Sequence, residues 1–169
     1  TQLETSNNMT DAMAGLRAFV NNPSPGNREL TDRLLADFYA KWKSETLVVE
    51  QWLSLQSAAP VPDNLPRVQA LIQHEAFDLR NPNKIRSVIG AFCNANAVGF
   101  HALNGEGYSF LGDYIVKLNR SNPQIASRQL TPLTRWRKYD PVRQELMKAQ
   151  LRRVMAEENL SKDVFEVVS

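Results

Sequence analysis

The sequence predicts an all-α protein, and three observations carry that prediction. Glycine is sparse, seven in 169 residues, and clusters at a few junctions; helices need few positive-φ positions. Apolar residues recur three and four apart, the period of a helix with one buried face, and no alternating stretch reads as a strand. Asn81-Pro82, Asn122-Pro123 and Asp140-Pro141 each supply an N-cap side chain and then proline at the first helical position, where its missing N–H costs nothing.

The elements follow in order. Thr10 is placed to cap "DAMAGLRAFV", with Met13, Leu16, Ala18 and Val20 as a loose stripe ended by Asn21-Asn22-Pro23. Asn27 caps "RELTDRLLADFYAKW", where Leu30, Leu34, Phe38 and Trp42 step by four and call for a partner surface. "TLVVEQWLSLQSAA" runs to Pro60-Val61-Pro62, and Asp63 then caps a short helix through Val68, Leu71 and Ile72. From Asn81, Ile85, Val88, Ile89 and Phe92 lie at i, i+3, i+4 and i+7, while the other face carries Arg86, Gly90 and Cys93.

A short helix around "AVGFHAL" precedes "NGEG", which reads as a helix–helix turn because neither flank alternates. "GYSFLGDYIVKLNR" buries Phe110, Leu111, Tyr114, Ile115 and Leu118; Pro132 kinks or restarts the helix that Asn122 begins. Asp140 opens a long helix over 141–157, and Ser161 caps the last one. Short turns, paired helices and no strict sequence period predict a single helical domain over 1–169. Its expected form is an irregular superhelix of paired antiparallel helices, a HEAT- or armadillo-like solenoid.

Composition bounds the function. At 43% hydrophobic and 22% charged residues the chain is ordinary for a soluble domain, with no apolar run long enough to cross a bilayer and no signal-peptide pattern. A single cysteine, Cys93, forms no internal disulfide and suits a cytoplasmic protein. A net charge of +2 argues against a dedicated nucleic-acid binder. The chain begins at Thr1 and stops inside a helical pattern, so it is expected to be part of a longer polypeptide.

No catalytic pattern survives inspection. "HEAFD" starts like H-E-x-x-H, but the second metal-binding histidine must sit four residues on, and that position is Asp78. His74 reads as a polar residue at a helix end, and His101 falls on another element. Cys93 sits in an apolar context that favours a buried thiol over a nucleophile. "GEG" lacks a third glycine and a preceding strand, so it is no nucleotide loop. Residues 128–153 hold eight cations (Arg128, Arg135, Arg137, Lys138, Arg143, Lys148, Arg152 and Arg153) against Asp140 and Glu145. Solvated faces and inter-helix ion pairs are preferred there over an anion-binding face.

"FDLRNPNKIRSVIGAF", "FHALNGEGYSFLGDYIVKLNRSNPQIASRQLTPL" and "RWRKYDPVRQELMKAQL" together resemble the C-terminal helical domain of the M1-family zinc-dependent alanyl aminopeptidases, the bacterial aminopeptidase N family. The likeness spans nearly the whole chain. It implies a four-domain parent that removes N-terminal residues from peptides, with zinc held in a thermolysin-like catalytic domain and none here. There the metal assists attack of water on the first peptide bond. The C-terminal α-superhelix covers the catalytic domain and encloses the active-site cavity. Matching N-P-N-x-I-R and N-P-Q-x-A-S-R, the resemblance implies Arg86, Gln124 and Arg128 as substrate-cavity residues, with no catalytic residue. Cys93 departs from the small residue, such as alanine, that the family pattern leads one to expect. The implied partners are the catalytic domain of the same polypeptide and its peptide substrate, with neither nucleic acid nor membrane. A standalone helical-repeat scaffold for a protein partner is the alternative, since fold does not fix function.

Overall fold

The structure is a computed structural model that describes residues 2–61 and 63–169, with side chains from residue 8 onward. It is helical throughout, with no strand among the described residues. The first helices are α1 (Gln2–Asn21), α2 (Arg28–Trp42), α3 (Thr46–Ser57) and α4 (Leu65–Ile72). α5 (Pro82–Ile85) runs without a break through a π turn (Arg86–Gly90) into α6 (Ala91–Ala95). α7 (Ala97–Phe100), α8 (Glu106–Ser121), α9 (Pro123–Gln129) and α10 (Thr131–Thr134) follow. A 3-10 turn (Trp136–Lys138), α11 (Pro141–Met155) and α12 (Lys162–Val168) complete the chain.

The proline-marked starts form as their sequences dictate. Asn81 accepts from the Asn83 N–H at 2.9 Å, Asn122 from Ile125 at 3.3 Å and Asp140 from Arg143 at 3.0 Å. Ser161 caps α12 through the Val164 N–H at 3.2 Å. Each bond satisfies an N–H that the helix itself cannot reach. Pro132 restarts the chain as α10, as its missing N–H requires.

Two boundaries and one buried face differ from expectation. Helix α1 passes straight through Thr10, because neither glycine nor proline interrupts residues 2–14 and Met13, Leu16 and Val20 hold one buried line. Ala18 is exposed. In α2 the buried line is Thr31, Leu35 and Phe38, with Leu34 and Trp42 only partly covered. Steps of four drift by about 40° each around a helix of 3.6 residues per turn, so Leu30 to Trp42 spread over about 120°, and of the four only Phe38 is buried. The residue before α4 is Asn64, not Asp63, and its side chain does not cap the helix.

Asn64 is buried for another reason. Its Nδ2 donates to the Gln56 and Ser57 carbonyls, each at 3.0 Å. Asn96, also buried, donates to Ser57 O at 3.1 Å and Ala59 O at 2.8 Å, and its Oδ1 accepts the Gly99 N–H at 2.9 Å. The final carbonyls of α3 lie inside the molecule, where no water reaches them, and two asparagines close them.

The core is one continuous cluster along the stack. Phe92, Phe100, Tyr108 and Phe110 meet edge to face with centroids 5.1–6.1 Å apart, joining α6, α7 and α8. "NGEG" is shaped by that packing. Gly105 takes φ +75°, and a Cβ on Gly107 would lie 2.3 Å from the Phe100 carbonyl oxygen. The two glycines admit a turn and a close backbone crossing.

Asn96→Ala removes three buried hydrogen bonds and leaves the Gly99 N–H without its acceptor, and is expected to cost about 3 kcal/mol. A chemical-denaturation midpoint for the variant within error of the original would refute this role.

Candidate functional site

The apolar face of residues 85–92 is as the spacing predicts: Ile85, Val88, Ile89 and Phe92 are fully buried. The opposite face is shaped by the π turn. The Ala91 N–H reaches back to Arg86 O, one residue farther than in an α-helix. Side chains steady the loosened backbone. Ser54 Oγ on α3 donates to Ser87 O at 3.1 Å, Ser87 Oγ to Asn83 O at 2.7 Å, and Asn94 Nδ2 to Gly90 O at 2.9 Å. Arg86 opens the turn, exposed, with Nη2 donating to Asn83 Oδ1.

Gly90 faces α9. A Cβ there would meet Gln129 Oε1 at 3.3 Å and Arg86 Cβ at 3.8 Å. This contact sets the π turn beside the C-terminal end of α9. On α9, Gln124 and Arg128 stand one turn apart, both exposed. Among the described residues neither Arg86 nor Arg128 pairs with a carboxylate. The structure therefore brings the two elements bearing Arg86 and Arg128 together and leaves all three polar side chains exposed, with Arg86 hydrogen-bonded to Asn83. Gln129 was not legible as part of this region: only the tertiary crossing places it there.

The other chemical candidates occupy structural roles. Cys93 is buried, and burial drives its thiol pKa upward, away from the reactive thiolate. His74 follows α4 in a turn, accepts the Ala76 N–H at 3.0 Å through Nδ1, and lies against Tyr39 and Trp52 at 4.6 and 5.1 Å. Asp78 accepts the Arg80 N–H at 2.9 Å, so "HEAFD" is neither helical nor a metal frame. Among the described residues no three His, Cys, Asp or Glu side chains gather as a metal site. No helix there is long and apolar enough to cross a membrane.

His101 anchors a polar knot that sequence reading did not foresee. Its Nδ1 lies 2.7 Å from Tyr108 Oη, its ring stacks on Tyr139 at 4.3 Å, and its carbonyl accepts from Arg143 Nε at 2.8 Å. Arg143 also pairs with Asp140 at 2.7 Å. Burial first, and then the Arg143 charge, hold the His101 pKa below its usual value; burial pushes the Tyr108 phenol up to about 12.

The basic run divides. Arg143, Lys148, Arg152 and Arg153 pair with Asp140, Glu145 or Asp113. Arg137 and Lys148 flank the Trp136 ring at 4.4 and 5.0 Å. Half the run is thus ion-paired: two pairs are i,i+3, Arg152 reaches Glu145 along α11, and Arg153 crosses to Asp113 on α8.

Against this geometry, a family model described as ARM repeats of a domain of unknown function (DUF3458_C) matches residues 1–169. The chain belongs to that family. It is 43% identical to aminopeptidase N of Haemophilus influenzae over 163 residues, which cover 96% of this chain and 18% of that protein. With aminopeptidase N of Escherichia coli it shares 43% over 168 residues, 99% of this chain and 19% of that one. Aminopeptidase N of Caulobacter vibrioides is 41% identical over 162 residues, covering 96% and 18%. The matched part is the C-terminal region of these enzymes, and the chain spans about a fifth of their length. The crystal structure of Legionella pneumophila aminopeptidase A in complex with aspartic acid superposes with a TM-score of 0.78 at 38% identity. It covers 84% of this chain and 16% of that one.

The polar knot makes a pH prediction. A histidine whose folded pKa is depressed binds fewer protons folded than unfolded, so its stabilisation is complete above about pH 6.5 and is lost as pH falls. Thermal melts should fall between pH 7.5 and pH 5, and His101→Gln should flatten that fall. An unaltered pH dependence in the variant would remove His101 as its source.

Proposed function

We propose that this chain is the C-terminal helical domain of an M1-family, zinc-dependent aminopeptidase of the cytoplasm that removes N-terminal residues from peptides. The domain lies over the catalytic domain of the same polypeptide, restricts entry to the active-site cavity, and contributes secondary contacts to the peptide. The observation that carries this reading is a set of three exposed groups, Arg86, Gln124 and Arg128. They stand on two touching elements and pair with no carboxylate among the described residues, in a sequence 41–43% identical to aminopeptidase N. An unpaired guanidinium offers a planar, permanently charged fork that suits a carboxylate, whether on a peptide or on a facing domain.

Zinc does not fit the described residues. His74 is committed to the Ala76 N–H and His101 to Tyr108, on separate elements, and Asp78 is tied to Arg80. In this reading the metal and the bond-breaking step belong to the remainder of the polypeptide, and this chain's residues orient and exclude. That the aminopeptidase relatives are some five times longer favours this reading over a standalone scaffold.

Two outcomes follow. The pure chain should hydrolyse no alanyl or leucyl amide with or without added zinc, and zinc-dependent turnover would contradict the assignment. In the full-length polypeptide, Arg128→Ala should raise KM for short peptides by roughly three- to tenfold, the loss of one charge-assisted hydrogen bond, while leaving the melting temperature within about 2 °C. Kinetics unchanged over several peptides would make Arg128 purely structural.

A further inference from the structure

Gln129 is 7% exposed, and its Oε1 has no hydrogen-bond partner. A buried acceptor left unpaired carries a desolvation cost that folding does not recover, so it calls for a donor. The notch it occupies exists because residue 90 has no side chain: Gln129 Oε1 lies 3.3 Å from the absent Cβ. Arg86 Cβ lies 3.8 Å from the same point. The unpaired acceptor and the root of an arginine therefore share one notch, at a separation well within the span of an arginine side chain. Arg86 carries five donors, of which one Nη2 bond goes outward to exposed Asn83 Oδ1.

We propose that Gln129 is a positioning residue for Arg86: its Oε1 is an inner hydrogen-bond station that alternates with the outer station on Asn83 Oδ1. This rests on reading Arg86 as a wall residue of a peptide cavity. At the inner station the guanidinium withdraws into the notch and relieves the unpaired acceptor. At the outer station it stays solvated and extended, placed to meet a carboxylate. A ligand carboxylate that binds only the extended form shifts the balance outward by its differential affinity. The π turn gives Arg86 its direction, and glycine at 90 keeps the inner station open.

The test uses the full-length polypeptide with Gln129→Met, which removes the acceptor and keeps the volume, and Asn83→Ala, which removes the outer station. Gln129→Met should lower KM for short peptides and Asn83→Ala should raise it, each by about two- to fivefold with kcat within about twofold. Both shifts should vanish when Arg86 is alanine. Shifts in the same direction, no shift in either variant, or shifts that persist without Arg86 would overturn the proposal. Should Arg86→Ala itself leave KM unchanged, the cavity reading fails for that residue, and the Asn83→Ala crystal structure decides the stations. A guanidinium on Gln129 Oε1 supports the proposal, whereas a water there, or an acceptor left bare, refutes it.

Discussion

The buried end of α3 is the constraint on which the rest of the molecule depends. A solenoid helix that ends at the surface leaves its last carbonyls to water, but Gln56, Ser57 and Ala59 end inside the stack. Asn64 and Asn96 answer them from two directions, so the start of α4 and the junction of α6 and α7 are pinned to the same few atoms. Apolar burial is non-directional and would tolerate sliding. These hydrogen bonds do not slide, and they fix the register in which the N-terminal helices meet the remainder.

From that register the candidate site follows. With α6 held against α3, Ser54 reaches the Ser87 carbonyl, and the π turn is braced where its own ladder is weakest. The turn directs Arg86 away from the core while Ile85, Val88 and Ile89 stay within it. On the far side, α8 carries α9 to the same place, and Gly90 lets the Gln129 carboxamide lie directly against the turn. A region that exposes two arginines with no carboxylate partner among the described residues is thus built on some of the most completely buried residues of the chain, which is what a positioned binding wall requires.

Much of the fold was legible because its signals are local. Asn81, Asn122, Asp140 and Ser161 act within three residues of themselves, and all four cap as the sequence implies. Pro132 breaks its helix for an equally local reason. What failed depends on distant contacts. Thr10 has the right chemistry for a cap, but the apolar line through Met13 and Leu16 carries α1 past it. Leu30 to Trp42 step by four, and the angular drift of that spacing leaves only Phe38 of the four buried. Asn64 and Asn96 carry no task that local sequence assigns, and only the buried end of α3 gives them one. For the site, resemblance pointed to Arg86, Gln124 and Arg128, and the structure adds the exposure of all three and, among the described residues, no carboxylate partner for either arginine. The π turn and the Gly90–Gln129 contact left no trace in periodicity, since one arises from a single displaced hydrogen bond and the other from a crossing between residues 39 positions apart.

The central claim, that this chain forms the outer wall of a peptidase cavity, is tested most directly by a crystal structure of the full-length polypeptide bound to a non-hydrolysable peptide. The account predicts that the face bearing Arg86, Gln124 and Arg128 opens onto the cavity that holds the peptide, with one or more of these side chains hydrogen-bonded to it. A structure in which that face turns to bulk solvent, away from the catalytic domain, would contradict it.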